Sequence, residues 1–189
     1  MVESEITALL EAASNGDSHA LQALFVRVYH ELKQLARHRL AESAGHSLNT
    51  TALVHEVYLK LAHSDGRPLH GRTHFFALAA KAMRQIVIDR ARARAAEKRG
   101  GGEMQLVELD EALDVSGSEL DADELMRLNN ALDSLEAVEP RLAELVELRF
   151  FAGLGIGEIA ALRDVSERTL NRDWRRAKAQ LYATLHPEP

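Results

Sequence analysis

The 189-residue chain contains no cysteine, so neither a disulfide framework nor a thiolate metal site is open to it. Long apolar runs are missing too: the longest, Phe75–Ala80, is far too short to span a bilayer. No phosphate-cradling loop exists, because Gly100-Gly101-Gly102 lacks the lysine-hydroxyl pair that would have to follow it. The nine histidines form no metalloprotease pattern, since His55-Glu56 is followed at position 59 by leucine. His63 lies off the helix face of His55, and His70 and His74 have no carboxylate close by in sequence. The histidines are read as scattered surface or capping groups. We therefore expect no metal, no cofactor, no catalytic constellation and no enzyme. No internal repeat and no defensible strand is found. The opening Met1-Val2-Glu3-Ser4-Glu5 is acidic where a secretory signal would be basic. That favours a cytoplasmic protein without membrane insertion.

What is present is an ordinary soluble composition, 46% hydrophobic and 28% charged, with a net charge of −6. The charge is sorted along the chain. Residues 72–99 hold eight Lys/Arg against Asp89 and Glu97, while 103–139 hold twelve Asp/Glu against Arg127 alone. A basic segment beside an acidic one implies a polyanionic partner and an internal competitor for it.

Helical periodicity runs through nearly all of the chain. Ile6, Leu9, Leu10 and Ala13 mark a short helix ended by Asn15-Gly16. Asp17 is placed to cap the next, which carries Leu21, Leu24, Phe25, Val28, Leu32 and Leu35. A third helix runs from near Asn49 to about His63. A fourth, Thr73 to about Arg99, has Phe75, Leu78, Ala79, Ala82, Met83, Ile86 and Val87 as one buried stripe. Lys81, Arg84, Ile88 and Arg92 lie on a different side. Residues 100–120 are rich in Gly, Ser and acid and read as a flexible linker. The fold class expected is all-α: helical domains at 1–99 and 121–189, joined by that linker. Extended, residues 100–125 would reach roughly 85–95 Å, more than the roughly 70 Å of two DNA turns.

Residues 140–185 carry the clearest pattern. A one-sided helix through Leu142, Leu145, Val146 and Leu148 meets Gly153, Gly155 and Gly157. Glu158–Leu162 is a short helix, Asp164-Val165-Ser166 a polar turn, and Ser166 an N-cap for the following basic helix. That helix turns Leu170, Trp174, Ala177 and Leu181 inward and Arg168, Asn171, Arg172, Arg175 and Arg176 elsewhere. Helix, short turn, basic helix is the helix-turn-helix layout, whose second helix enters the major groove.

Both halves resemble the extracytoplasmic-function sigma factors of bacterial RNA polymerase. Leu53-Val54-His55-Glu56-Val57-Tyr58-Leu59-Lys60-Leu61 is similar to the family's polymerase-clamp helix. The resemblance implies that Leu53, Val54, Glu56, Val57 and Lys60 meet the polymerase. Residues 72–94, with Phe75-Phe76 and Ile86-Val87-Ile88-Asp89-Arg90, resemble its promoter-melting and minus-ten segment. Leu148–Leu154, Glu158-Ile159-Ala160 and Ser166–Lys178 resemble its minus-thirty-five reader. The function implied is promoter recognition and initiation with core RNA polymerase as partner.

The chemistry of the residues fits. Holding a single strand calls for cations along its backbone and a place for an extruded base. His74, Phe76, Lys81, Arg84, Gln85, Arg90 and Arg92 are the candidates, while Phe75 is read as core. On the recognition helix Arg168, Thr169, Asn171 and Arg172 are the N-terminal candidates, and Arg175, Arg176 and Lys178 suit phosphates. A stand-alone dimeric helix-turn-helix regulator is the alternative, but it has no use for a clamp-like helix followed by a basic aromatic segment.

Three departures from the family pattern stand out. Gly155 and Gly157 replace a usual hydroxyl cap and carboxylate, so the short helix should start less stably. Asp164 replaces a turn glycine, which Asp tolerates because it can enter the left-handed region. Before the clamp helix, where the family usually carries carboxylates, this chain reads Asn49-Thr50-Thr51-Ala52. Thr51, or neighbouring Thr50, is then a candidate phosphorylation site for a Ser/Thr kinase, because a phosphate would restore the missing charge. The plain alternative is Asn49 as N-cap, flanked by Leu48 and Leu53 as a hydrophobic staple. An anti-sigma factor is the other candidate regulator.

Overall fold

A computed structural model describes residues 2–28, 50–62, 71–97 and 122–186. The linker expected at 100–120 and the cap expected at Asn49 lie outside the described residues. Every regular element among the described residues is helical. Helix α1 spans Val2–Ser14 and stops where Gly16 takes φ 88°. Asp17 Oδ1 then accepts from the backbone N–H groups of His19 and Ala20 at 2.9 and 3.1 Å. This caps a second helix, α2, described over 18–28. Helix α3 is Thr50–Ala62 and α4 is Gly71–Glu97. The C-terminal half holds α5, Ala122–Val138, and α6, Pro140–Val146. It closes with α7, Ile156–Arg163, and α8, Glu167–Leu185.

Proline suits the first turn of α6, where its missing N–H is no loss. Beyond Val146 the backbone widens into a π turn over Glu147–Phe151. The Ala152 N–H bonds back to the Glu147 carbonyl at 3.0 Å. Phe150 and Phe151 are both buried there and meet edge to face, with ring centroids 5.0 Å apart.

Helix α4 organises the core. On one side Phe75 meets Phe25 of α2 at 5.5 Å, and Phe25 meets Tyr58 of α3 at 5.0 Å. Helix α4 packs against α1 and α3, and also against α5, the π turn and α7. Phe75, Ala79, Ala82, Met83 and Ile86 are buried, as the apolar stripe predicts, and Leu78 and Val87 are half-buried. Ala80, Arg84, Ile88 and Ala91 are buried as well. A helix enclosed on two sides needs apolar or small residues on both, and α4 has them. The buried residues of both halves form one hydrophobic cluster.

Candidate nucleic-acid interface

Helix α8 is the most one-sided element. Leu170, Trp174, Ala177 and Leu181 are buried. They pack against α5, α6 and α7, and the guanidinium of Arg149 lies 4.8 Å over the Trp174 ring. The opposite face leaves Arg168, Asn171, Arg172, Arg175 and Arg176 exposed, with Thr169 and Lys178 half-buried.

The approach to α8 is built from the turn. Asp164 ends α7 at φ 52° and ψ 49°, the left-handed conformation expected of it. Ser166 Oγ accepts from the Thr169 N–H at 3.2 Å, which satisfies one of the orphan donors of the α8 N-terminus. Its hydroxyl also lies 2.9 Å from that of Thr169. Helix α7 begins after Gly155, whose N–H donates to Glu158 Oε2 at 2.7 Å. The carboxylate half of a capping box is thus supplied from inside the helix, while the hydroxyl half is absent at Gly155.

Three arginines of α8 make contacts at the surface. Arg172 lies 3.6 Å from the carboxylate of its neighbour Asp173, and Arg175 Nε donates to the Asn171 carbonyl at 3.3 Å. Arg176 forms an ion pair with Glu139, at the start of α6. These are surface pairs, which contribute little and exchange readily for a stronger anion.

The candidates on α4 are arranged differently. Arg84 is only 3% exposed. Its Nη1 donates to Glu147 Oε1 at 2.8 Å, and its Nη2 to Asp133 Oδ1 and the Asn129 carbonyl, each at 2.7 Å. Nε donates to Asn129 Oδ1 at 3.1 Å. Lys81 pairs with Glu136 of α5, and Thr73 Oγ1 donates to the Leu162 carbonyl of α7 at 2.7 Å. Glu147 is 4% exposed. Burial pushes its carboxyl above the usual range, against the opposing pull of the Arg84 hydrogen bond and charge.

Other α4 candidates turn toward α3 or stay within their own helix. Gln85 accepts from Lys60 Nζ at 3.1 Å, and Lys60 lies 3.7 Å from Asp89. Arg90 pairs with Glu56, and exposed Arg92 lies 3.5 Å from Asp89. Phe76 is buried beneath Arg72, whose guanidinium is 5.4 Å from the ring centroid. His74 is half-buried.

On α3, Leu53, Val54 and Val57 face the core and Glu56 is half-buried. The exposed side chains described on the helix are Ala52, His55, Leu59, Lys60 and Ala62. No acidic residue stands in its first turn, where Thr50 and Thr51 lie.

Sequence reasoning missed Asn129, Asp133, Glu136 and Glu147 as partners of the α4 cations. Two signals were present. A carboxylate interrupts the apolar run Leu145-Val146-Glu147-Leu148, and Ala80 and Ile88 flank Arg84 by one helical turn on either side.

No group of three His, Asp or Glu among the described residues could hold a metal ion. No described helix is long and apolar enough to cross a membrane. Comparison with the curated proteins and with the solved structures finds no match. A family model described as ECF sigma factor matches residues 3–186, nearly the whole chain. This chain therefore belongs to the ECF sigma factor family, binding core RNA polymerase and directing promoter-specific transcription initiation.

Proposed function

We propose that the two halves divide the promoter between them and that the protein performs no covalent chemistry itself. Helix α8 reads duplex DNA at the minus-thirty-five element. Arg168, Thr169, Asn171 and Arg172 face base edges, and Arg175, Arg176 and Lys178 hold phosphates. Helix α4 works at the minus-ten element, with Lys81, Arg84, Gln85, Arg90 and Arg92 along the single strand and His74 and Phe76 near its start. Residues 1–99 and 121–189 act as separate domains on the polymerase, linked through 100–120. Helix α3 docks on the polymerase, Glu56 and Lys60 at its surface and Leu53, Val54 and Val57 supporting them from the core. The protein works in the cytoplasm, under an anti-sigma factor or a Ser/Thr kinase.

The observation that carries this reading is the α8 surface: a capped turn followed by a row of exposed cations, backed by a buried Trp174. Transcription from a promoter library, with and without core polymerase, tests it. Selected promoters should share two elements and should be bound tightly only when core is present. Tight duplex binding by the free chain as a dimer would overturn it in favour of a stand-alone regulator.

A further inference from the structure

We infer that Asp89 sets a base preference in the melted strand. Its carboxylate accepts the exocyclic amino group of one base and turns thymine away, with Gln85 beside it and Lys60 of α3 holding both. The inference rests on the reading of α4 as the single-strand face and names what that face selects.

Among the α4 side chains described, Gln85, Asp89, Arg92 and Ala93 are the exposed ones. Asp89 follows Gln85 by four residues and Arg92 follows Asp89 by three, so they share one strip of the helix. Lys60 reaches that strip from α3. Its Nζ donates to Gln85 Oε1 at 3.1 Å and lies 3.7 Å from Asp89 Oδ2. Arg92 Nη1 stands 3.5 Å from the other carboxylate oxygen, Asp89 Oδ1. A lysine ammonium only donates, so the Gln85 oxygen is committed to it and the amide NH2 is left for a ligand. One acceptor and one donor thus stand side by side at the surface, oriented by a shared cation.

Stability does not account for the carboxylate. The Asp89 side chain is 60% exposed and that of Lys60 38%, which makes theirs a surface pair of small worth. On a face that meets a polyanion, a negative charge lowers the affinity for every phosphate. It gains only from a hydrogen-bond donor, and the backbone within a DNA strand has none. Phosphate and deoxyribose oxygens accept; the donors are the amino and ring N–H groups of the bases. The amino groups of adenine, cytosine and guanine project from the ring and reach a carboxylate readily. Thymine has no amino group, and its one ring N–H lies between two carbonyl oxygens that repel a carboxylate. Lys60 and Arg92 lower the cost of the charge, and the Gln85 NH2 donates to a ring acceptor beside the amino group.

The test uses the full chain bound to core polymerase. Dye-labelled single-stranded oligonucleotides carry the minus-ten element of the selected promoters, with each base varied in turn. At one position wild type should bind an amino-bearing base roughly fivefold to hundredfold more tightly than thymine. Removing the amino group alone should cost a similar factor, with purine for adenine, 2-pyrimidinone for cytosine or hypoxanthine for guanine. Asp89→Ala should bring both ratios close to one, the thymine strand gaining affinity as the negative charge goes. Lys60 is a positioning residue that acts through Asp89 and Gln85. Lys60→Met should therefore lower the same two ratios, and Lys60→Arg should keep them.

Ratios unchanged in Asp89→Ala or in Lys60→Met overturn the inference, as does an amino group removed from the strand without effect on wild type. Failure of the underlying reading shows separately, as single-strand binding on core that neither Arg92→Ala nor Lys81→Ala weakens.

Discussion

Replacing Arg84 with methionine keeps the length and apolar stem of the side chain and removes its charge. Left behind is Glu147, 4% exposed, whose close cation was Arg84 Nη1 at 2.8 Å. Asn129 and Asp133 lose partners too, but both reach solvent and can rehydrate. Removing one member of a buried pair costs roughly 3–5 kcal/mol, because the other charge stays desolvated and unpaired. For a chain of this length that lowers the unfolding midpoint by on the order of 10 °C. The pH dependence identifies the cause. Burial already holds the Glu147 carboxyl above its ordinary 4.5, with Arg84 pulling the other way. Without Arg84 it rises further. A carboxyl raised in the folded state contributes its stability in full below the unfolded value and loses it as pH climbs through the folded one. The gap between wild type and Arg84→Met should therefore be widest near about pH 8 and narrow toward about pH 5. Arg84→Met/Glu147→Leu, with neither charge, should recover most of the loss at every pH. Thermal melts across that range read all three proteins. A single variant melting within about 2 °C of wild type near pH 8, or a gap independent of pH, would refute the reasoning.

Arg172→Ala should lose roughly 1–3 kcal/mol and relax preference at one promoter position. Arg175→Ala should weaken all promoters alike and flatten the salt dependence, as read by competition binding at two salt concentrations. Gly155→Ser should stabilise α7 by a few tenths of a kcal/mol, measured by urea denaturation. At φ −70° the backbone takes a side chain without strain, and the new Cβ meets only the tip of Glu158 at 3.3 Å. Thr51→Glu should bind core more tightly than wild type, since negative charge in the first turn of α3 meets the helix dipole and replaces the missing carboxylates. Thr51→Ala should abolish activated transcription with the fold intact; equal core binding by phosphorylated and unmodified protein would end that idea.

The stretch from α7 to α8 was the most legible part, because its signals are local. Ser166 caps the three residues after it, Asp164 needs only its own φ and ψ, and the inward face of α8 repeats at helical spacing over Leu170, Trp174, Ala177 and Leu181. Each lies within one helix or the turn just before it. The same holds for Asp17 and for the Phe75 stripe of α4. Glu158 adds to a local rule at one point. Two glycines signalled a weak helix start, yet a carboxylate three residues past the N-cap already satisfies the Gly155 N–H. The departure from the family pattern is thus half compensated within the helix.

The second side of α4 was not legible, and its charge explains why. Lys and Arg on a helix are ordinarily solvated, so a strip holding Lys81 and Arg84 reads as an outer face. Only a partner distant in sequence reverses that, and Glu147 stands 63 residues beyond Arg84. A periodicity window sees the spacing of side chains within a helix, never what lies across from it. The sorted charge did point the right way: 72–99 is basic, 103–139 is acidic, and two of the carboxylates that reach α4, Asp133 and Glu136, fall inside that acidic stretch. What sequence alone lacked was the register. It took the acidic stretch as a whole, where α5 brings Asp133 and Glu136 in particular to Lys81 and Arg84. A charge segment can announce competition for cations, but this pairing of α4 with α5 sets carboxylates at i and i+3 on one helix face against cations at i and i+3 on another. Asp133 with Glu136 and Lys81 with Arg84 have that spacing in both strips, so the pairing follows from two helices brought side by side rather than from net charge.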